Sequence, residues 1–137
     1  MIPKFSLPKR SKFGNVKTTI NGVTYDSKRE LKHATLLSGV FPATIVHGTP
    51  IELQPKTDHI RSITYRPDFV VPHNGLEYVI DTKGQLTDVY KLKAKMAAYK
   101  GVYILEARTD GELIVIMNLI QQNLTPLEIW LKTKRKK

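Results

Sequence analysis

The period with which apolar positions recur along the chain changes several times, and each change marks a predicted element. Val16–Ile20 and Val23–Tyr25 alternate on either side of Asn21-Gly22, a dipeptide suited to a two-residue turn, and predict a short β-hairpin. Ser27 then opens a helical pattern that reaches about Leu37, with Ser38-Gly39 supplying the stop. Ile45–Val46 and Ile51–Gln54 read as short strands broken at Gly48 and Pro50. Ile63–Val71 and Glu77–Thr82 read as stronger strands, joined through the turn Pro72-His73-Asn74-Gly75. A second helix, capped by Thr87 or Asp88, runs to about Tyr99, where Gly101 ends it. Its Val89, Leu92, Met96 and Tyr99 recur at helical spacing and are expected to face the core. Val102–Ala107 and Glu112–Met117 predict a last hairpin around Asp110-Gly111, and Pro126 starts a short closing helix.

This order predicts an α/β fold, a central mixed β-sheet flanked by helices. The passage from Thr82 through the second helix to Val102 is the connection expected to be parallel and right-handed. The pattern contains no repeat and no internal boundary. Residues 16–131 are therefore expected to form one domain, preceded by an extended basic arm (1–15) and followed by a basic tail (132–137). A chain of 137 residues buries roughly two-thirds of its unfolded surface, enough for a core without staples.

Composition narrows the chemistry. Apolar residues at 41% and charged residues at 25% belong to a folded globular chain rather than a disordered one. The absence of cysteine excludes disulfides, thiolate zinc sites and cysteine nucleophiles together. No apolar run approaches the ~18 residues of a membrane span and no apolar stretch follows the basic N-terminus, so a soluble, cytoplasmic protein is expected.

The charge distribution says more than its sum. There are 22 basic and 12 acidic residues, a net +10. Residues 1–17 hold Lys4, Lys9, Arg10, Lys12 and Lys17, and residues 132–137 hold Lys132, Lys134, Arg135, Lys136 and Lys137, with no acid in either segment. The middle is balanced, so the whole excess lies at the two ends. Such segments suit a polyanion whose counterions they displace, and Lys9, Arg10, Lys12, Lys134, Arg135 and Lys136 are the expected backbone contacts to nucleic acid. A membrane surface fits less well, because no amphipathic helix accompanies the lysines.

Three stretches carry candidate chemistry: Ser27-Lys28-Arg29-Glu30, Arg66-Pro67-Asp68-Phe69, and Tyr78-Val79-Ile80-Asp81-Thr82-Lys83-Gly84. Asp81 and Lys83 are two apart on a strand and leave the same face as Val79, so that face runs from apolar core into a charged end. Asp68, 13 residues earlier on a strand expected to pair with this one, can bring its carboxylate beside Asp81. Two carboxylates held together repel unless a cation lies between them, and hard oxygen donors point to Mg²⁺, with Mn²⁺ able to substitute. Lysine beside such an ion offsets charge on a phosphate or polarises an attacking water.

Pro67-Asp68, then Asp81-Thr82-Lys83, preceded by a helical Glu30, resembles the PD-(D/E)xK nuclease superfamily, and most of all the small phage-encoded endonucleases of the Holliday-junction-resolvase type. Tyr25 through Glu30, Leu53-Gln54-Pro55, Tyr65 through Phe69, and Thr87 through Lys93 match that group as well. The likeness covers about residues 24–107, and it departs mildly in having Asp81 where Glu is commoner. The resemblance implies a restriction-endonuclease-like core. It implies Asp68, Asp81 and the Thr82 carbonyl as metal ligands, Glu30 as a further ligand or the holder of a coordinated water, and Lys83 as the catalytic lysine. The implied reaction is metal-assisted hydrolysis of DNA phosphodiesters leaving a 5′-phosphate, favouring branched or junction DNA and carried out by a homodimer.

Plainer readings stand beside these. Ser27-x-x-Glu30 also spells a capping box, in which Glu30 reaches back to the Ser27 amide. Asp68 after Pro67 suits a turn, and Asp81 with Lys83 suits an exposed same-face pair. Lys91 and Lys95 read as a solvated helix face, whereas Lys93 borders the stripe and leans towards the sheet end; Lys91 and Lys93 are both candidate phosphate contacts. Gln54 is a further candidate for the site through its likeness to the phage group. His33, His47, His59 and His73 lack metal-ligand spacing and read as surface or loop residues. Tyr90, Tyr99 and Trp130 read as packing residues. A non-catalytic basic protein that binds DNA or RNA, or serves in assembly, is the rival to the enzyme.

Overall fold

The computed structural model describes residues 18–20, 23–25, 27–82 and 86–134. The arm 1–15, the Asn21-Gly22 turn, Lys83 and the tail beyond Lys134 lie outside the described residues. The chain is α/β, with a mixed four-stranded sheet flanked by helices. Its first hairpin pairs β1 (Thr18–Ile20) with β2 (Val23–Tyr25). Helix α1 (Lys28–Val40) follows, its Ser27 cap accepting the Glu30 amide at 3.1 Å. It runs through Ser38-Gly39, beyond the expected stop, and Phe41 closes it by donating to Leu37. Leu37 is buried one turn before the end, so packing carries the helix past a weak local stop signal.

The central sheet has the order β3 (Ile45–Val46), β6 (Phe69–His73), β7 (Leu76–Thr82), β8 (Ile104–Ala107). The first two pairings are antiparallel and β7–β8 is parallel. The parallel step is the expected crossover, made by α2 (Asp88–Tyr99) with Thr87 as its cap. The expected strand Ile63–Val71 is instead two strands in different sheets. β5 (Ile63–Tyr65) pairs with β4 (Ile51–Gln54), and β6 begins only at Phe69. Pro67 has no amide to donate to a ladder, so the chain changes sheets there, and Asp68 is left at the mouth of the central sheet.

Alternation along β7 divides the core. Tyr78 and Ile80 pack with Leu37, Phe69, Val71, Leu105 and the apolar residues of α1, α3 (Asp110–Gln121) and α4 (Pro126–Thr133). Val79 packs on the opposite face with Leu53, Tyr65, Tyr90, Ala97 and Ile104, under α2 and the β4–β5 pair.

Two expectations fail in instructive ways. Glu112–Met117 is not a strand, and Asp110-Gly111 is no hairpin turn. Both lie in α3, capped by Thr109, which buries Leu113, Ile116, Met117 and Ile120 at positions i, i+3, i+4 and i+7. Most of the stripe predicted for α2 also faces the wrong way. Val89, Leu92 and Tyr99 are exposed, Tyr99 at 93%, and only Met96 packs against the core as expected, beside the buried Tyr90 and Ala97 and the partly buried Ala94. Small alanines let the helix lie close to the sheet, and one tyrosine supplies the bulk. Among the described residues no helix is long and apolar enough to cross a membrane.

Candidate functional site

The β6–β7 hairpin turns through Asn74 and Gly75, both with positive φ (51° and 77°), the backbone that Asn-Gly adopts at least cost. Its register pairs Phe69 with Ile80, which leaves Asp68 and Asp81 as the next residues at the open end. The two carboxyl groups meet there, and Asp68 Oδ2 also accepts the Thr82 amide at 2.9 Å. Asp81 is only 1% exposed and shares its face with Val79. Burial, then the charge and contact of Asp81, then the charge of Glu30 push the Asp68 carboxyl up to about 9, against the pull of the Thr82 amide.

Glu30 arrives from the first turn of α1. Its amide is held by Ser27, but its carboxylate does not complete the capping box. It accepts instead from His47 Nε2 at 2.8 Å, with the residue 4% exposed. His47 has a left-handed backbone (φ 53°), and its own amide donates to the Asp68 carbonyl at 2.8 Å. One residue after β3 therefore ties down both Glu30 and Asp68.

Behind β7, the fully buried His33 places Nδ1 2.8 Å from Thr82 Oγ1 and Nε2 3.1 Å from Asp110 Oδ1. In front, the Tyr65 and Tyr90 rings lie 6.3 Å apart in the cluster that holds Val79. Tyr90 donates to Glu106 Oε2 at 2.7 Å, and Glu106 is the register partner of Asp81 across β8. Burial and the nearby Asp81 charge push both phenols far above their usual range, so each stays a neutral donor.

Of the residues singled out in the sequence, Glu30, Asp68, Asp81 and Thr82 thus come together. Lys83, Lys9, Arg10, Lys12, Arg135 and Lys136 lie outside the described residues. Lys91 is exposed on α2 and Lys93 half-buried beside it. Lys134 is exposed, its Nζ 4.8 Å over the Trp130 ring, and Lys132 lies in the last turn of α4 rather than in a free tail. Gln54 is half-buried opposite Ile63 at the end of β4. Trp130 packs against Tyr103, as a packing residue should, whereas Tyr99 is exposed on α2.

Sequence reasoning missed His33, His47, Tyr65 and Glu106. His33 was legible: it lies three residues after Glu30, and with Ala34 and Leu37 it forms the buried face of α1. His47 was not, because its role depends on a backbone conformation that no neighbouring residue announces.

A hard divalent cation fits this donor set. Among the described residues no three His, Asp or Glu side chains stand close enough to enclose an ion by themselves. Mg²⁺, however, is ordinarily held by one or two carboxylates, with other oxygens and water completing its shell. Asp68 and Asp81 supply that pair, and the burial and neighbouring Asp81 charge that raise the Asp68 carboxyl are penalties a cation would offset.

Residues 10–110 match the family model described as "Protein of unknown function (DUF1064)". No curated protein and no solved structure matches the chain.

Proposed function

The chain belongs to the DUF1064 family, and we propose that it is a divalent-metal-dependent endonuclease of the PD-(D/E)xK kind, hydrolysing DNA phosphodiesters. The observation that carries this reading is the pairing of the half-buried Asp68, just before β6, with the buried Asp81 near the end of β7, the first clasping the amide of the residue that precedes Lys83. Asp68, Asp81 and the Thr82 carbonyl would hold Mg²⁺, or Mn²⁺ in its place. When bound, the ion supplies Lewis-acid charge to the scissile phosphate and lowers the pKa of water. Glu30, steadied by His47, orients the attacking water. Lys83, next in the chain, offsets charge on the phosphate. Burial of the site under Tyr65 and Tyr90 strengthens each of these charge interactions.

The basic termini, with Lys91 and Lys93, grip backbone phosphates without reading bases. Branched DNA is the favoured substrate and a two-fold homodimer the acting form, both on the likeness to junction resolvases.

The test is a plasmid and a synthetic four-way junction incubated with Mg²⁺ or with EDTA. Cleavage should need the cation. Asp81→Asn should cut at least about 100-fold more slowly while still binding the junction, since even outer-shell partners of a metal act on that scale. Comparable cutting by Asp81→Asn would show that the wrong carboxylate has been chosen. Binding of both DNAs without any cutting would favour the second reading, a basic nucleic-acid-binding protein without turnover, which the confinement of excess charge to the chain ends also suits.

A further inference from the structure

Among the described residues His33 is the most deeply buried ionisable side chain, and the proposed chemistry gives it no task. It joins three elements far apart in sequence: its own helix α1, Thr82 at the end of β7, and Asp110 in the first turn of α3. Lys32 Nζ lies 2.6 Å from the other oxygen of Asp110, so the carboxylate at the far end is itself anchored. Burial favours the neutral ring, although Asp110 pulls the other way. A neutral imidazole has one donor and one acceptor nitrogen, and an ionised carboxylate can only accept. Nε2–H therefore donates to Asp110, and Nδ1 accepts the Thr82 hydroxyl proton.

Thr82 is thereby held twice. Its side chain is tied to His33 on the α1 face of the sheet, and its amide to Asp68 at the mouth. With both fixed, the peptide planes on either side of Thr82 have little freedom. Those planes set where the Thr82 carbonyl points and how Asp81, the residue before it, leaves the strand.

We infer that Asp110, His33 and Thr82 form a positioning relay behind the candidate metal site, in which His33 acts through the Thr82 hydroxyl to hold the end of β7 in the geometry that binds the divalent cation. The inference rests on the proposed metal-site reading. Asp110 orients the ring as a carboxylate orients a metal-bound histidine, except that here the ring's other nitrogen fixes a strand instead of an ion.

The relay is tested by Mn²⁺ titration of the full chain without DNA, following the signal of free Mn²⁺ by electron paramagnetic resonance. The variants are His33→Ala, Thr82→Val and the double variant, with Leu37→Ala as a control that perturbs the same buried face of α1 without touching Thr82. Thr82→Val keeps the branched shape and removes only the hydroxyl, so it reports even where His33→Ala fails to fold. Both single variants should weaken Mn²⁺ binding about 10–100-fold. The double variant should be no weaker than the worse single, because both changes cut one chain of contacts. Leu37→Ala should lower stability and leave Mn²⁺ affinity within about twofold. Folded Thr82→Val with wild-type affinity overturns the relay, and so do fully additive losses in the double variant. If the wild-type chain itself takes up no Mn²⁺, the metal-site reading falls and the relay with it, a result distinct from tight wild-type binding that the variants leave unchanged.

Discussion

Asp68→Asn should make the metal-free protein more stable, and the gain should grow with pH. The carboxyl ordinarily titrates near 3.8 and in the fold is pushed up to about 9 by burial and by Asp81. Below pH 3.8 the group is protonated in both states and costs nothing. Between 3.8 and 9 the unfolded chain gives up the proton and the folded one keeps it, so folding stability falls as pH rises. The loss accumulates at about 1.4 kcal/mol per pH unit, or about 4 kcal/mol by pH 7 for a fully enclosed group. Water reaching the half-buried Asp68 side chain lowers the expected gain to about 1–3 kcal/mol. Asparagine keeps an oxygen for the Thr82 amide, so the hydrogen bond at 2.9 Å is retained while the charge is not. At roughly 4 °C per kcal/mol for a chain of this size, Tm should rise by about 4–12 °C at pH 7 in EDTA, and by little near pH 4. Millimolar Mn²⁺ should raise the wild-type Tm and leave that of the variant nearly still. Thermal unfolding from pH 4 to 9 reads all of this. A difference between the two proteins that does not widen with pH would refute the account of the site as two carboxylates in conflict.

Gly48→Ala should destabilise by about 1–3 kcal/mol in urea unfolding, because a methyl group there would stand 2.7 Å from Val70 Cγ2 on the central sheet. Thr109→Ala should cost about 0.5–2 kcal/mol, since the hydroxyl caps α3 by accepting the Glu112 amide at 3.1 Å; no loss would mean that the cap is not needed to start the helix.

Where the chain announced itself, it did so through residues whose local preference agreed with the final packing. Ser27 and Thr87 cap helices, Asn74-Gly75 turns a hairpin, and Pro126 opens α4 at its first turn. The Asp68–Asp81 pairing followed from the same agreement, because register and alternation are local properties of one hairpin. The errors came where two periods fitted one stretch. Leu113 to Met117 is apolar throughout, so it satisfies a strand and a helix alike, and only Thr109 with the later Ile120 separates them. In α2 most of the more hydrophobic stripe, Val89, Leu92 and Tyr99, lost to Tyr90, Ala94 and Ala97, with Met96 shared between the two. The sheet needed closeness there rather than greasiness, a demand set by neighbours remote in sequence. His33 and His47 belong to the same category, since their partners lie 17 to 77 residues away.

The β6–β7 hairpin also bears on how the protein assembles. The two residues that meet across it, Asp68 and Thr82, are separated by 14 positions, so this half of the site closes as a short loop of low contact order. Hairpins of that kind form in microseconds. Glu30 and His33 are contributed by α1, and His33 reaches Thr82 only across 49 positions, after a far larger loop has closed. The hairpin half of the receptacle is thus a local structure and the α1 half a distant one, and the receptacle is complete only once α1 has docked.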